Sequence, residues 1–159
     1  MENADAAQAS SSFRLSFECR LSTPLEEVVS GFDESLFRAL SPPFPRVKIR
    51  QFDGVNAGDR VDLELDFIVF TWKWSSLITS SKQDAERMVF IDRGEVLPPF
   101  LSFWEHHHIM EKTENGSRIR DEIEFRPGKG WPAALVRLMI WMQMTPRNRI
   151  YKAYFKSGF

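Results

Sequence analysis

A chain of 159 residues with a net charge of −1 fits one domain and has no bulk electrostatic pull toward nucleic acid or an anionic membrane. Its single cysteine, Cys19, excludes an internal disulfide and any zinc site built on several thiolates. Fourteen Phe and five Trp stand against two Tyr, a set that supplies apolar volume with few hydroxyls to satisfy and suits a thick core or an apolar pocket.

Residues 1–12 are small and polar, with neither a basic start nor an apolar run, and are expected to form a disordered tail rather than a secretory signal. One domain is expected over 13–159. Phe13, Leu15, Phe17, Cys19 and Leu21 alternate with Arg14, Ser16, Glu18 and Arg20, the period-two pattern of a strand with one wet face. Thr23 and Pro24 read as N-cap and first helical residue, Glu26 and Glu27 favour the positive helix end, and Gly31 stops the helix. A second short helix is predicted from its cap Asp33 to Leu40, before the Pro42-Pro43 break.

Strands dominate the next stretch. Val47 to Phe52 precedes turn chemistry at Asp53-Gly54 and Asn56 to Asp59. Val61, Leu63, Leu65, Phe67 and Val69 then alternate with charged residues, and Phe70 to Thr79 and Glu86 to Arg93 are two further strands. Leu97-Pro98-Pro99 makes the next link irregular.

Asn115-Gly116 is a strong two-residue turn signal. Taken as the loop, it pairs Glu114 with Ser117 and sets Met110 opposite Asp121, His108 opposite Ile123 and His106 opposite Phe125. Trp104, His106, His108, Met110, Ile119, Asp121, Ile123 and Phe125 then share a mostly apolar, inward face, and His107 lies on the charged outer one. Beyond Gly128 and Gly130 the period becomes helical: Pro132 opens a helix with apolar positions Leu135, Leu138, Met139 and Met142, continuing through Ile150, Tyr151, Tyr154 and Phe155. Pro146 is expected to kink or restart it, with Thr145 as the new cap. No apolar stretch reaches the ~20 residues of a membrane span, so a cytoplasmic protein without integral membrane association is expected.

The order strand, two short helices, six strands, long helix carries a resemblance. Thr23-Pro24-Leu25-Glu26-Glu27-Val28, Leu40-Ser41-Pro42-Pro43, Trp104-Glu105-His106-His107-His108 and Asp121-Glu122-Ile123-Glu124-Phe125 resemble successive motifs of the SRPBCC or START-like ligand-binding proteins, in their bacterial ligand-binding branch. The resemblance spans roughly residues 13 to 157. It departs at Leu97-Pro98-Pro99-Phe100, with one extra residue before Trp104, and at Pro146. It implies an α+β helix-grip fold: a curved antiparallel sheet of about seven strands, two short helices after strand 1, and a long C-terminal helix over the sheet. It also implies binding or carriage of a small hydrophobic ligand, such as a lipid, fatty acid or aromatic metabolite, between sheet and helix. The superfamily also contains polyketide cyclases, so a cyclase, aromatase or dehydratase using His108 and Asp121 as an acid–base pair is the alternative, and a regulatory interaction domain a third.

His106, His108 and Asp121 are the polar residues of the inward face, and three readings of them stay open. They hydrogen-bond one another and ordered water, as buried polar groups require; they orient an apolar guest; or Asp121 orients His108 as a general base. No metal or cofactor is expected. Phe67, Trp72, Trp74, Phe90 and Trp104 are candidate lining residues from the sheet, with Leu135, Leu138, Met139 and Met142 facing them from the helix. Trp72, Trp74, Trp104 and Trp141 also read as core. Arg147, Arg149, Lys152 and Lys156 read as a solvated helix face, and no nucleic-acid partner is expected. An exposed edge strand offers a route to a homodimer.

Overall fold

The computed structural model describes residues 11–156. The elements run β1 (Phe13–Leu21), α1 (Leu25–Ser30), α2 (Glu34–Leu40), β2 (Arg46–Phe52), β3 (Arg60–Asp66), β4 (Thr71–Gln83), β5 (Arg87–Val96), β6 (Leu101–Thr113), β7 (Gly116–Pro127), α3 (Ala133–Met144) and α4 (Arg147–Lys156). The seven strands form one antiparallel sheet in the order β1-β7-β6-β5-β4-β3-β2. β2 through β7 are thus a meander, with β1 closing on β7. The expected tail over 1–12 lies outside the described residues except for Ser11 and Ser12, which are exposed and irregular.

The helices cover one face of the sheet, and two apolar clusters fill the space between. One, beneath α1, α2 and α4, centres on Val28, Leu36, Met110, Ile119 and Tyr151. The other, beneath α3, gathers Phe100, Trp104, Ile123, Phe125, Val136, Ile140 and Met144. No described helix is long and apolar enough to cross a membrane.

Local chemistry sets the helix ends. The Asp33 side chain accepts from the Leu36 N–H at 3.0 Å, capping α2. Thr23 does not cap α1: Pro24 holds the cap position, and the Thr23 hydroxyl donates instead to the Phe155 carbonyl, tying β1's end to α4. At Pro146 the C-terminal helix stops and restarts, because proline has no N–H to continue the ladder; Arg149 and Ile150 donate to the Pro146 carbonyl to begin α4.

Three further expectations need correction. The last hairpin turns on Glu114 and Asn115, so Thr113 pairs with Gly116 and the register is displaced by two residues. His108 therefore lies directly opposite Asp121, His106 opposite Ile123 and Trp104 opposite Phe125. A slip of two keeps every side chain on its face. Gly116 belongs to the strand, at φ 141°, because its backbone passes against Leu21 and Ser22; a Cβ there would sit 2.2 Å from the Leu21 carbonyl oxygen.

The second correction is at β3, which ends at Asp66. Phe67 to Phe70 form the turn into β4, with Ile68 at φ 77° and its N–H donating to the Asp66 carboxylate. Ile68 and Val69 are exposed there. The third concerns α3. Val136, Ile140 and Met144 make its buried stripe, while Leu135, Leu138, Trp141 and Met142 are exposed. This helix is apolar on almost every side, so the spacing of its apolar residues offers two competing faces.

Candidate functional site

A cavity of about 400 Å³ lies between the sheet and α3. Leu63 and Leu65 of β3, Trp74 of β4, Phe67 in the turn, Trp104 of β6 and Met139 and Met142 of α3 supply apolar wall. At one end the wall becomes polar: Ser76 of β4, Asp92 of β5, His106 and His108 of β6, and Arg147 at the start of α4.

The polar end is built by strand periodicity. Asp92 lies directly opposite His106 across β5–β6, and His108 directly opposite Asp121 across β6–β7, so inward positions on three adjacent strands meet. His106 Nε2–H donates to Asp121 Oδ1 at 2.8 Å, and His108 Nδ1 lies 3.2 Å from the same oxygen. The Tyr151 hydroxyl of α4 donates to Asp121 Oδ2 at 3.3 Å. The two imidazoles overlap, their ring centres 3.7 Å apart, and Phe90 stacks on the far side of His108 at 4.3 Å.

Burial penalises charge here, and the partners decide which groups keep it. Burial, then the neighbouring His108, push His106 down to about 3 against the pull of Asp121, so its ring is neutral at neutral pH. Burial alone would raise Asp121, but the hydrogen bonds from His106 and His108, with the charge interactions beside them, hold its carboxyl below the ordinary range. Burial raises Asp92, with His108 and Ser76 pulling the other way. Burial and the adjacent Asp121 push the Tyr151 phenol up, so it stays protonated as a donor.

Of the residues singled out from sequence, Phe67, Trp74, Trp104, His106, His108, Met139 and Met142 line the cavity. Asp121 stands behind the histidines and faces a separate groove between β1 and the α3–α4 junction. Trp72 packs against Phe100 and Trp131, Phe90 lies against His108 and Phe32, and neither lines the main cavity. Leu135 and Leu138 point to solvent. Arg147, read as part of a solvated face, is half-buried in the cavity wall.

Asp92 and Ser76 were not singled out, although the signal existed. Met88, Phe90 and Asp92 alternate on β5, and Trp72, Trp74, Ser76 and Ile78 on β4, so each is a polar residue on an apolar face, as His106 is. Arg147 follows Pro146 and breaks no pattern that would mark it.

Neither a family model nor a curated protein matches this chain. Solved structures do. The Zhui aromatase/cyclase from Streptomyces sp. R1128 superposes with a TM-score of 0.68 at 14% identity, covering 92% of this chain and 94% of its own. Norcoclaurine synthase from Thalictrum flavum, in complex with dopamine and hydroxybenzaldehyde, gives 0.67 at 12%, covering 94% and 89%. A START superfamily protein from Mycobacterium smegmatis gives 0.65 at 7%, covering 92% and 97%. The chain has the helix-grip fold. At these identities the likeness is one of architecture, and one architecture can host unrelated functions.

Proposed function

We propose that this helix-grip chain binds a small, largely apolar molecule in the cavity between sheet and α3, with the molecule's polar end against Asp92, His106, His108 and Trp104. One observation carries the reading. Asp92 Oδ1, Trp104 Nε1, His108 Nδ1 and Arg147 Nε are buried without a partner among the described residues, and all four residues line this cavity. Buried polar groups in folded proteins are almost always paired, so these atoms fit the polar end of a guest. The remaining wall is aromatic, Leu and Met, the surroundings expected of a mainly apolar ligand site, and methionine adapts to varied shapes. A lipid, a fatty acid and an aromatic metabolite all answer this description.

The test is native mass spectrometry of the purified protein with solvent extraction, followed by titration with an environment-sensitive naphthalene probe read through Trp74 and Trp104. A saturable signal that Leu63→Trp weakens at least tenfold, by filling the cavity, supports the proposal. No copurified molecule together with probe binding indifferent to Leu63→Trp would sink it.

A second reading is acid–base catalysis, favoured by the bond through which Asp121 orients His106, with His108 beside it. A neutral imidazole that gives one N–H to a carboxylate keeps a lone pair on its other nitrogen, the state a general base requires. His106 makes the better bond to Asp121, so both histidines are candidates for that base rather than His108 alone.

A further inference from the structure

The same wall holds a set of donors that points beyond an organic guest. One nitrogen of His106, one of His108 and one carboxylate oxygen of Asp92 lie within 4.8 Å of one another. We infer that Asp92, His106 and His108 form a binding site for a divalent transition-metal ion at the polar end of the cavity.

The donor types suit such an ion: imidazole nitrogen and carboxylate oxygen are its usual ligands, and three protein ligands leave one position open. Ligand atoms at ~2.1 Å from a tetrahedral ion stand roughly 3.4 Å apart. No separation here exceeds that by more than about 1.4 Å, a difference that small side-chain rotations close. Asp92 has the freedom to make them, since its Oδ1 has no partner among the described residues.

Asp121 supplies the outer support that metal-binding histidines need. His106 commits its Nε2–H to Asp121 Oδ1, and His108 Nδ1 lies 3.2 Å from the same oxygen without a hydrogen-bond partner among the described residues. Valence then leaves the lone pair of His106 on Nδ1, while His108 is free to present either nitrogen. A carboxylate that fixes tautomer and ring orientation is the common partner of metal-ligating imidazole. Here one carboxylate holds the His106 ring and lies beside that of His108.

Charge agrees. The groups around the site are two carboxylates, Asp92 and Asp121, one guanidinium, Arg147, two imidazoles and the neutral Tyr151 phenol. With neutral rings the formal sum is −1, so a divalent ion leaves a single positive charge. The open position would then favour an anionic oxygen, such as the carboxylate end of the proposed guest. The ion itself depends on three side chains only and stands whether or not an apolar guest binds.

The experiment uses the full chain stripped with chelator and titrated with Zn²⁺ by calorimetry and with Co²⁺ by visible absorption, no organic ligand present. The expected result is one ion per chain, a tetrahedral Co²⁺ spectrum, and His106 and His108 ring signals that move in nitrogen NMR while those of His107 do not. Asp92→Asn, close in shape, should lower affinity at least tenfold, and His107→Ala should leave it unchanged. No saturable binding, movement of the His107 signal alone, or affinity untouched by Asp92→Asn overturns the inference. The wild-type NMR decides the matter even if a variant misfolds, and loss of the apolar probe's binding with the metal response intact would fault only the guest.

Discussion

Replacing Asp121 tests whether the polar wall is held by one carboxylate. Its side chain is 3% exposed and is approached by His106 at 2.8 Å, His108 at 3.2 Å and Tyr151 at 3.3 Å. Asp121→Ala strands His106 and Tyr151, which hydrogen-bond it. An unpaired buried donor costs about 1–3 kcal/mol; the His106 bond is the better made. Taking roughly 2 kcal/mol for His106 and about 1 kcal/mol for Tyr151 gives a loss of about 3 kcal/mol, a large share of the ~5–15 kcal/mol by which a domain is stable. Asp121→Asn keeps an oxygen for His106, and the Tyr151 hydroxyl can rotate to accept from the new amide, so about 1–2 kcal/mol is expected. The assay is urea unfolding of chelated protein followed by tryptophan fluorescence, with the midpoint shifting at constant slope. His107→Ala, on the outer face, should stay within about 0.5 kcal/mol of wild type. An Asp121→Ala loss below about 1 kcal/mol, or one equal to that of Asp121→Asn, would refute the shared-carboxylate argument.

Acid should weaken the fold early. His106 sits at about 3 in the folded chain against 6.5 for a free histidine, so as pH falls through that interval the unfolded chain takes up a proton that the folded chain refuses. Stability present above 6.5 is then lost by up to about 1.4 kcal/mol per pH unit, and Asp121, held below its ordinary range, adds to the loss below 3.8. Urea midpoints of chelated protein should fall from about pH 7 to about pH 4 and His106→Gln should flatten the slope; a flat wild-type profile contradicts the assignment. On α3, Ile140→Ala should cost about 2–4 kcal/mol while Leu138→Ala stays within about 0.5 kcal/mol, and equal losses would mean the helix is rotated from its described face. Gly116→Ala forces a side chain onto the Leu21 carbonyl at positive φ and should cost more than about 2 kcal/mol in the same assay; a neutral result would return Gly116 to the loop.

The sheet was legible because its residues obey one rule. Period-two alternation marks β1 and β3, and inward and outward faces of β6 and β7 survive even a wrong turn assignment, since a two-residue slip preserves face. What failed were positions where one residue type serves two purposes. Gly116 reads as a turn glycine, yet it is glycine because β7 passes against Leu21 and Ser22, a contact between segments almost a hundred residues apart. Phe67 to Phe70 read as strand because they are apolar, while the chain turns there and leaves Ile68 and Val69 in solvent. α3 offers two apolar stripes, and only packing against β1 and β7 selects Val136, Ile140 and Met144. The site was legible on β6 and β7, where a motif drew attention to it. On β4 and β5 the same cue, a polar residue on an apolar face, marked Ser76 and Asp92 without a motif to single them out.

That omission bears directly on what the polar cluster is for. With His106, His108 and Asp121 alone, a hydrogen-bonded network accounts for His106 and Asp121 and leaves His108 Nδ1 unpaired among the described residues. Adding Asp92 widens the gap, because the His106 N–H already goes to Asp121. Asp92 Oδ1 is also unpaired among the described residues, and one Asp92 oxygen lies within 4.8 Å of one nitrogen of each imidazole. A buried carboxylate oxygen and a buried imidazole nitrogen, both unpaired in an apolar wall, call for a partner between them. A cation meets that requirement at the three side chains. A hydroxyl or protonated group on a guest meets it from the cavity. The titration of chelated protein with metal alone, set against the apolar probe alone, separates the two.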